Sequence, residues 1–114
     1  MRLATILVGI VALTTTTADA AQWSTDAKVM WGACARAFEP QTTPQIGFAA
    51  GLCYGTVNAV IFMKDKNDIC MPKDVSPEQA QRVVLRYFET HPELLHHDGV
   101  TLIHEALHEA WPCR

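Results

Sequence analysis

The last 24 residues hold all five histidines of the chain, and two of them fall in His104-Glu105-Ala106-Leu107-His108. That spacing is the HExxH pattern, in which two imidazoles one helical turn apart hold zinc and the glutamate activates a water molecule. Here the context argues against that chemistry. A window so rich in histidine produces the pattern by chance, and only six residues follow His108. The remaining downstream donors are Glu109 and Cys113, and a cysteine held in a disulfide is not a ligand. No metal and no cofactor is therefore assigned, and a zinc protease is the remotest of the readings considered. The chain has no G-x-S-x-G elbow, P-loop or dinucleotide-binding glycine pattern. It has four cysteines, Cys34, Cys53, Cys70 and Cys113, and no C-x-x-C pair, so zinc-ribbon and thioredoxin-type chemistry lose their main signal. No catalytic residue is expected.

Composition narrows the partner classes. With 114 residues, 9 Lys+Arg, 12 Asp+Glu and a net charge of -3, the chain has no basic cluster able to read phosphates, and no nucleic-acid partner is expected. At 49% hydrophobic and 18% charged it is too apolar to be disordered. Met1-Arg2, an apolar run from Leu3 to Leu13, and Ala18-Asp19-Ala20 together have the form of a secretory signal cleaved after Ala20. The expected organisation is a signal peptide over residues 1–20 and a single helical domain over residues 21–114, with no stable membrane span after cleavage. All four cysteines lie in the exported part, and an even count in an oxidising compartment reads as two disulfides.

The mature chain reads as an all-α, four-helix bundle. Trp23, Ala27, Met30, Trp31, Cys34, Ala35 and Phe38 recur at three- and four-residue steps, which predicts a helix from about Thr25 to Phe38 capped by Ser24. Gln45 to Met63 is a second helix of nineteen residues without a charge, long enough to cross a membrane. Apolar on every side, it is expected at the centre of the bundle, with Gly47, Gly51 and Gly55 forming a flat track against a neighbouring helix. Ser76-Pro77-Glu78-Gln79 combines a serine cap, proline at the first position and the third residue of a capping box, opening a third helix that buries Ala80, Val83, Val84, Tyr87 and Phe88. Thr90-His91-Pro92-Glu93 repeats the device, predicting a fourth helix from about Pro92 to Ala110 with Leu95, Leu102, Ile103, Ala106, Leu107 and Ala110 inward. Asp98-Gly99 is the place where it bends or breaks.

This layout selects among the three pairings that four cysteines allow. A tight hairpin of the last two helices brings Cys70 near Cys113, and antiparallel packing of the first two sets Cys34 and Cys53 at similar depth. Cys34–Cys53 and Cys70–Cys113 are the expected bonds, and chain entropy alone makes them contribute roughly 3 and 4 kcal/mol.

Four short segments resemble the Rap/Tai family: Leu52-Cys53-Tyr54-Gly55, Cys70-Met71-Pro72, Tyr87-Phe88-Glu89-Thr90-His91-Pro92-Glu93, and Ala106 to Cys113. Members of that family are periplasmic immunity proteins against peptidoglycan amidases delivered by type VI secretion. The resemblance spans about Cys34 to Cys113. It departs at Trp111, where the family tends to have phenylalanine, and at Asp98-Gly99, where the family's helix is usually continuous. It implies a disulfide-stapled domain, often a homodimer, that binds a cognate amidase and blocks its cysteine–histidine active site without chemistry of its own. Exposure, not a motif, nominates the contact residues: Asp65, Lys66, Asn67 and Asp68 on one connector, and His91, Glu93, His96, His97 and Asp98 at the hairpin end. An HdeA-like periplasmic acid-stress chaperone is the competing expectation, motivated by histidines that ordinarily titrate near pH 6.5.

Overall fold

A computed structural model of the chain describes residues 26–65 and 67–114. The predicted signal peptide, Trp23, Ser24 and Lys66 lie outside the described residues. Four α-helices follow one another: α1 (Ala27–Arg36), α2 (Pro44–Met63), α3 (Pro77–Thr90) and α4 (Gly99–Ala110), with a short 3-10 turn at Pro92–Leu94 between the last two. Among the described residues the only β pairing is two isolated bridges, Asp26 with Asp98 and Ile69 with Pro112.

Each helix starts where a side-chain oxygen satisfies an otherwise unbonded amide. Thr43 accepts from Ile46 N at 3.2 Å, followed by Pro44 at the first helical position. Ser76 accepts from Gln79 N at 3.1 Å ahead of Pro77, as its sequence predicts. For α1 the cap is Asp26, accepting from Lys28 N at 3.3 Å, so the helix starts at Ala27 and the assignment of Ser24 is corrected.

The fourth helix departs most from expectation. Thr90 does not cap it. Thr90 is the last residue of α3, and its hydroxyl donates back to Arg86 O at 2.9 Å. Pro92 supports only the 3-10 turn, and α4 starts seven residues later, where Asp98 accepts from Thr101 N at 2.9 Å and from the Thr101 hydroxyl at 2.8 Å. The chain breaks at Asp98-Gly99 because that aspartate is the stronger cap.

The core is built from one stripe of each helix. Phe88 and Val84 of α3 meet Leu102, Ile103, Ala106 and Leu107 of α4, with Ala27, Met30 and Cys34 of α1 and Cys53, Val57 and Val60 of α2. Ile69 of the connector is 1% exposed and completes it. Trp31 and Ala110 lie outside this core although their periodicity placed them in it, and Val83, Tyr87 and Leu95 are only partly covered. Gln81, not foreseen, is buried.

The expected central position of α2 is overturned. Its three neighbours all lie on one side, only Cys53, Val57 and Val60 are buried, and Phe48, Tyr54, Phe62 and Met63 are 52% to 90% exposed. Among the described residues the glycine track has no partner helix: a Cβ at Gly51 or Gly55 meets nothing within 4 Å, and one at Gly47 meets only the Gln41 side chain. A helix without a polar side gives the bundle no signal for which face to cover. Packing alone then decides, and three short helices suffice for one face.

Two disulfides seal this arrangement. Cys34 is bonded to Cys53, joining α1 to α2, and Cys70 to Cys113, joining the connector to the C-terminal end of α4; both pairs have Cα atoms 4.9 Å apart. Beside the second bond, Cys70 N donates to Trp111 O at 2.8 Å.

Candidate partner-binding surface

The connector that leaves α2 runs along α4, tied at several points. The Lys64 ammonium donates to Ile69 O at 2.6 Å. Asp68 lies between two imidazoles of α4: its Oδ2 is hydrogen-bonded to His104 Nε2, and its Oδ1 is 3.6 Å from His108 Nε2. The two rings, one turn apart, are close to parallel with centroids 6.3 Å apart. The histidines of the HExxH pattern are thus engaged by a carboxylate 36 and 40 residues upstream. The Glu105 carboxylate accepts a 3.4 Å hydrogen bond from the Tyr87 hydroxyl. Among the described residues, no three His, Cys, Asp or Glu side chains are grouped to hold a metal ion. Burial first, then the Glu105 charge, raises the Tyr87 phenol above the ordinary tyrosine value.

The hairpin end is held from the other side. Ala27 N donates to His97 O at 3.0 Å and Lys28 N to Leu95 O at 3.1 Å, so the first turn of α1 anchors the segment between the 3-10 turn and α4. His91 closes α3: its Nδ1 donates to Tyr87 O at 2.9 Å and its ring stacks on Tyr87 with centroids 4.2 Å apart. Glu93, His96 and His97 are exposed, and the two adjacent imidazoles lie 4.3 Å apart.

The nominated residues therefore fall into two groups. Asp68, His91 and Asp98 perform structural tasks: clasping α4, ending α3 and starting α4. Asp65, Asn67, Glu93, His96 and His97 present their side chains outward. The structure also sets the connector beside an apolar cleft. Lys64 and Asp65 share a cleft of about 540 Å³ with Met63 of α2 and Val100, Thr101 and His104 of α4. Met63 and Val100, 81% and 38% exposed, give the cleft apolar walls that exposure-based reasoning missed. For Met63 the signal was the absence of any charge at the end of α2.

Compared with known proteins, the chain is matched by the family model described as Rap1a immunity proteins over residues 16–113. No curated protein and no solved structure matches it.

Proposed function

Because the chain belongs to the Rap1a immunity protein family, we propose that it neutralises a cognate peptidoglycan amidase delivered by type VI secretion. It does so in the periplasm, after removal of its signal peptide, by covering the enzyme's cysteine–histidine site. The observation that carries this reading is the family match, which covers nearly all of the described residues. The physical character of the molecule agrees with it. Two disulfides suit an oxidising compartment and hold the loops at fixed separation. A preorganised surface binds with little loss of conformational entropy, which is what an inhibitor needs.

Asp65, Lys66 and Asn67 supply the polar contacts beside the Met63–Val100 cleft, which gives an apolar patch, and Glu93, His96 and His97 supply further contacts from the hairpin end. Asp68, His91 and Asp98 hold these contacts in place. The protein works as a homodimer, as the family resemblance implies.

Calorimetric titration of the amidase with charge-reversed variants tests the assignment. Asp65→Lys and Glu93→Lys each weaken binding tenfold or more, about 1.4 kcal/mol, without changing the melting temperature. Unchanged affinity in both variants refutes this surface, and no affinity of the unaltered protein for any such amidase refutes the function.

A further inference from the structure

A cleft of about 870 Å³ opens between the first half of α2, the start of α3 and the segment from Ala37 to Gln41. Its wall includes Gln81, which is only 7% exposed. Among the described residues nothing hydrogen-bonds the Gln81 side-chain amide, yet no buried side-chain nitrogen or oxygen is sealed without a partner. That amide therefore opens into the cleft. A polar group so nearly buried gains most from a partner that enters beside it.

The rest of the lining calls for a donor of positive charge. Gln41 donates from Nε2 to Glu39 O at 3.2 Å, which leaves its Oε1 as a free acceptor; a Cβ on Gly47 would lie 3.6 Å from that oxygen. The Glu39 carboxylate, exposed at the mouth, has no ion-pair partner among the described residues. Arg82, the cation of the lining, is already committed. Its Nη2 and Nε donate to Glu78 Oε1 at 2.9 and 3.3 Å, and its guanidinium lies 4.1 Å over the Phe38 ring. With Glu78 balanced by Arg82, the cleft keeps the negative charge of Glu39.

We propose that this cleft binds an extended, arginine-bearing segment of a partner protein. The arginine's guanidinium meets the Glu39 carboxylate and donates to Gln41 Oε1, and a peptide group beside it pairs with the Gln81 amide. A planar group with several donors suits neighbouring acceptors better than an ammonium does. The Gln81 amide offers both a donor and an acceptor, which is what a peptide group requires and a lone side chain does not. From Gly47 to Tyr54 the cleft follows two turns of α2, about 10 Å, the span of about three extended residues. The cleft shares no residue with the Met63–Val100 cleft assigned to the effector, so this inference and that reading fail separately.

The test is a nuclear magnetic resonance titration of the isotope-labelled mature protein with the peptide acetyl-Ala-Arg-Ala-amide. Saturable shifts are expected at the Gly51 backbone and Gln81 side-chain amides, with a dissociation constant on the order of 1 mM for so small a ligand. The same peptide with citrulline for arginine, equal in shape and uncharged, binds about tenfold more weakly. Glu39→Gln, at the exposed mouth, weakens the arginine peptide by a similar factor and leaves the melting temperature unchanged. Gly51→Leu fills the cleft and abolishes binding; nothing lies within 4 Å of its Cβ, so no neighbour is displaced. No saturable shift up to about 20 mM peptide overturns the proposal. So does equal affinity for the citrulline peptide, or affinity indifferent to both substitutions. Free arginine binding as tightly as the peptide also overturns it, because the cleft then takes a small molecule rather than a protein segment.

Discussion

The α3–α4 half of the molecule and α2 are both rich in apolar residues, yet they use them in opposite ways. In α3 and α4 short apolar runs alternate with polar residues at helical spacing, so a single stripe turns inward, and Phe88, Val84, Ile103 and Leu107 are essentially inaccessible to water. In α2 apolar residues surround the axis, one face is covered, and Phe62 stands 90% exposed. Apolar content therefore says how much surface can be buried, while the alternation with polar residues says which surface is buried. A helix without that alternation is defined by what remains to pack on it, inside the chain or outside it.

The sharpest test of this contrast is truncation in each half. Phe88→Ala leaves a cavity between α3 and α4 and costs about 3–5 kcal/mol in chemical denaturation. Phe62→Ala, measured at a concentration where the protein is monomeric, changes stability by about 0.5 kcal/mol or less. Equal losses would mean that the exposed face of α2 is covered within one chain.

Next in size are the disulfides, one in each half. Replacing Cys70 and Cys113 by alanine opens the loop of 43 residues and costs about 4 kcal/mol. Replacing Cys34 and Cys53 opens that of 19 residues and costs about 3 kcal/mol. The second pair is the covalent tie of α2 to the bundle. Its removal should therefore raise hydrogen exchange selectively in α2, and uniform exchange across all four helices would contradict the distinction.

Smaller again are the helix starts. Asp98→Ala removes the two hydrogen bonds that open α4 and costs about 1 kcal/mol, whereas Thr90→Ala costs a few tenths. The reverse ranking would restore a fourth helix starting at Pro92. The smallest effect is electrostatic and confined to the α3–α4 face. With its phenol raised above the ordinary value of 10, Tyr87 contributes stability that is complete below that pH and is lost as the pH rises through the higher folded value. In a Tyr54→Phe background, Glu105→Gln should bring phenolate absorbance in at lower pH. No movement would mean that the carboxylate does not act on the ring.

What the sequence revealed and concealed follows the same division. The third helix was legible to its first residue, since Ser76, Pro77 and Gln79 act within one turn and need no distant partner. The disulfide pairing was legible because antiparallel packing of neighbouring helices sets which cysteines share a depth. The start of α4 was not: Thr90-Pro92-Glu93 imitates a cap, and Asp98 prevails through two hydrogen bonds to Thr101 that only the folded turn brings into place. The placement of α2 was concealed because burial there depends on the number of helices that can reach it. In the candidate site, the outward residues of the connector were readable from polarity. The clasp of Asp68 by His104 and His108 joins residues 36 and 40 apart and leaves no local trace. That clasp also gives the histidines of the HExxH pattern a partner in the fold, which the pattern by itself did not disclose.

The central claim is that this chain acts by covering another protein's active site. The most direct measurement is hydrolysis of purified peptidoglycan by a type VI secreted amidase, titrated with the mature protein under oxidising conditions. The account predicts that activity falls linearly to zero at one chain per enzyme and returns when the complex is dissociated. Undiminished hydrolysis at a large molar excess of the protein would contradict it.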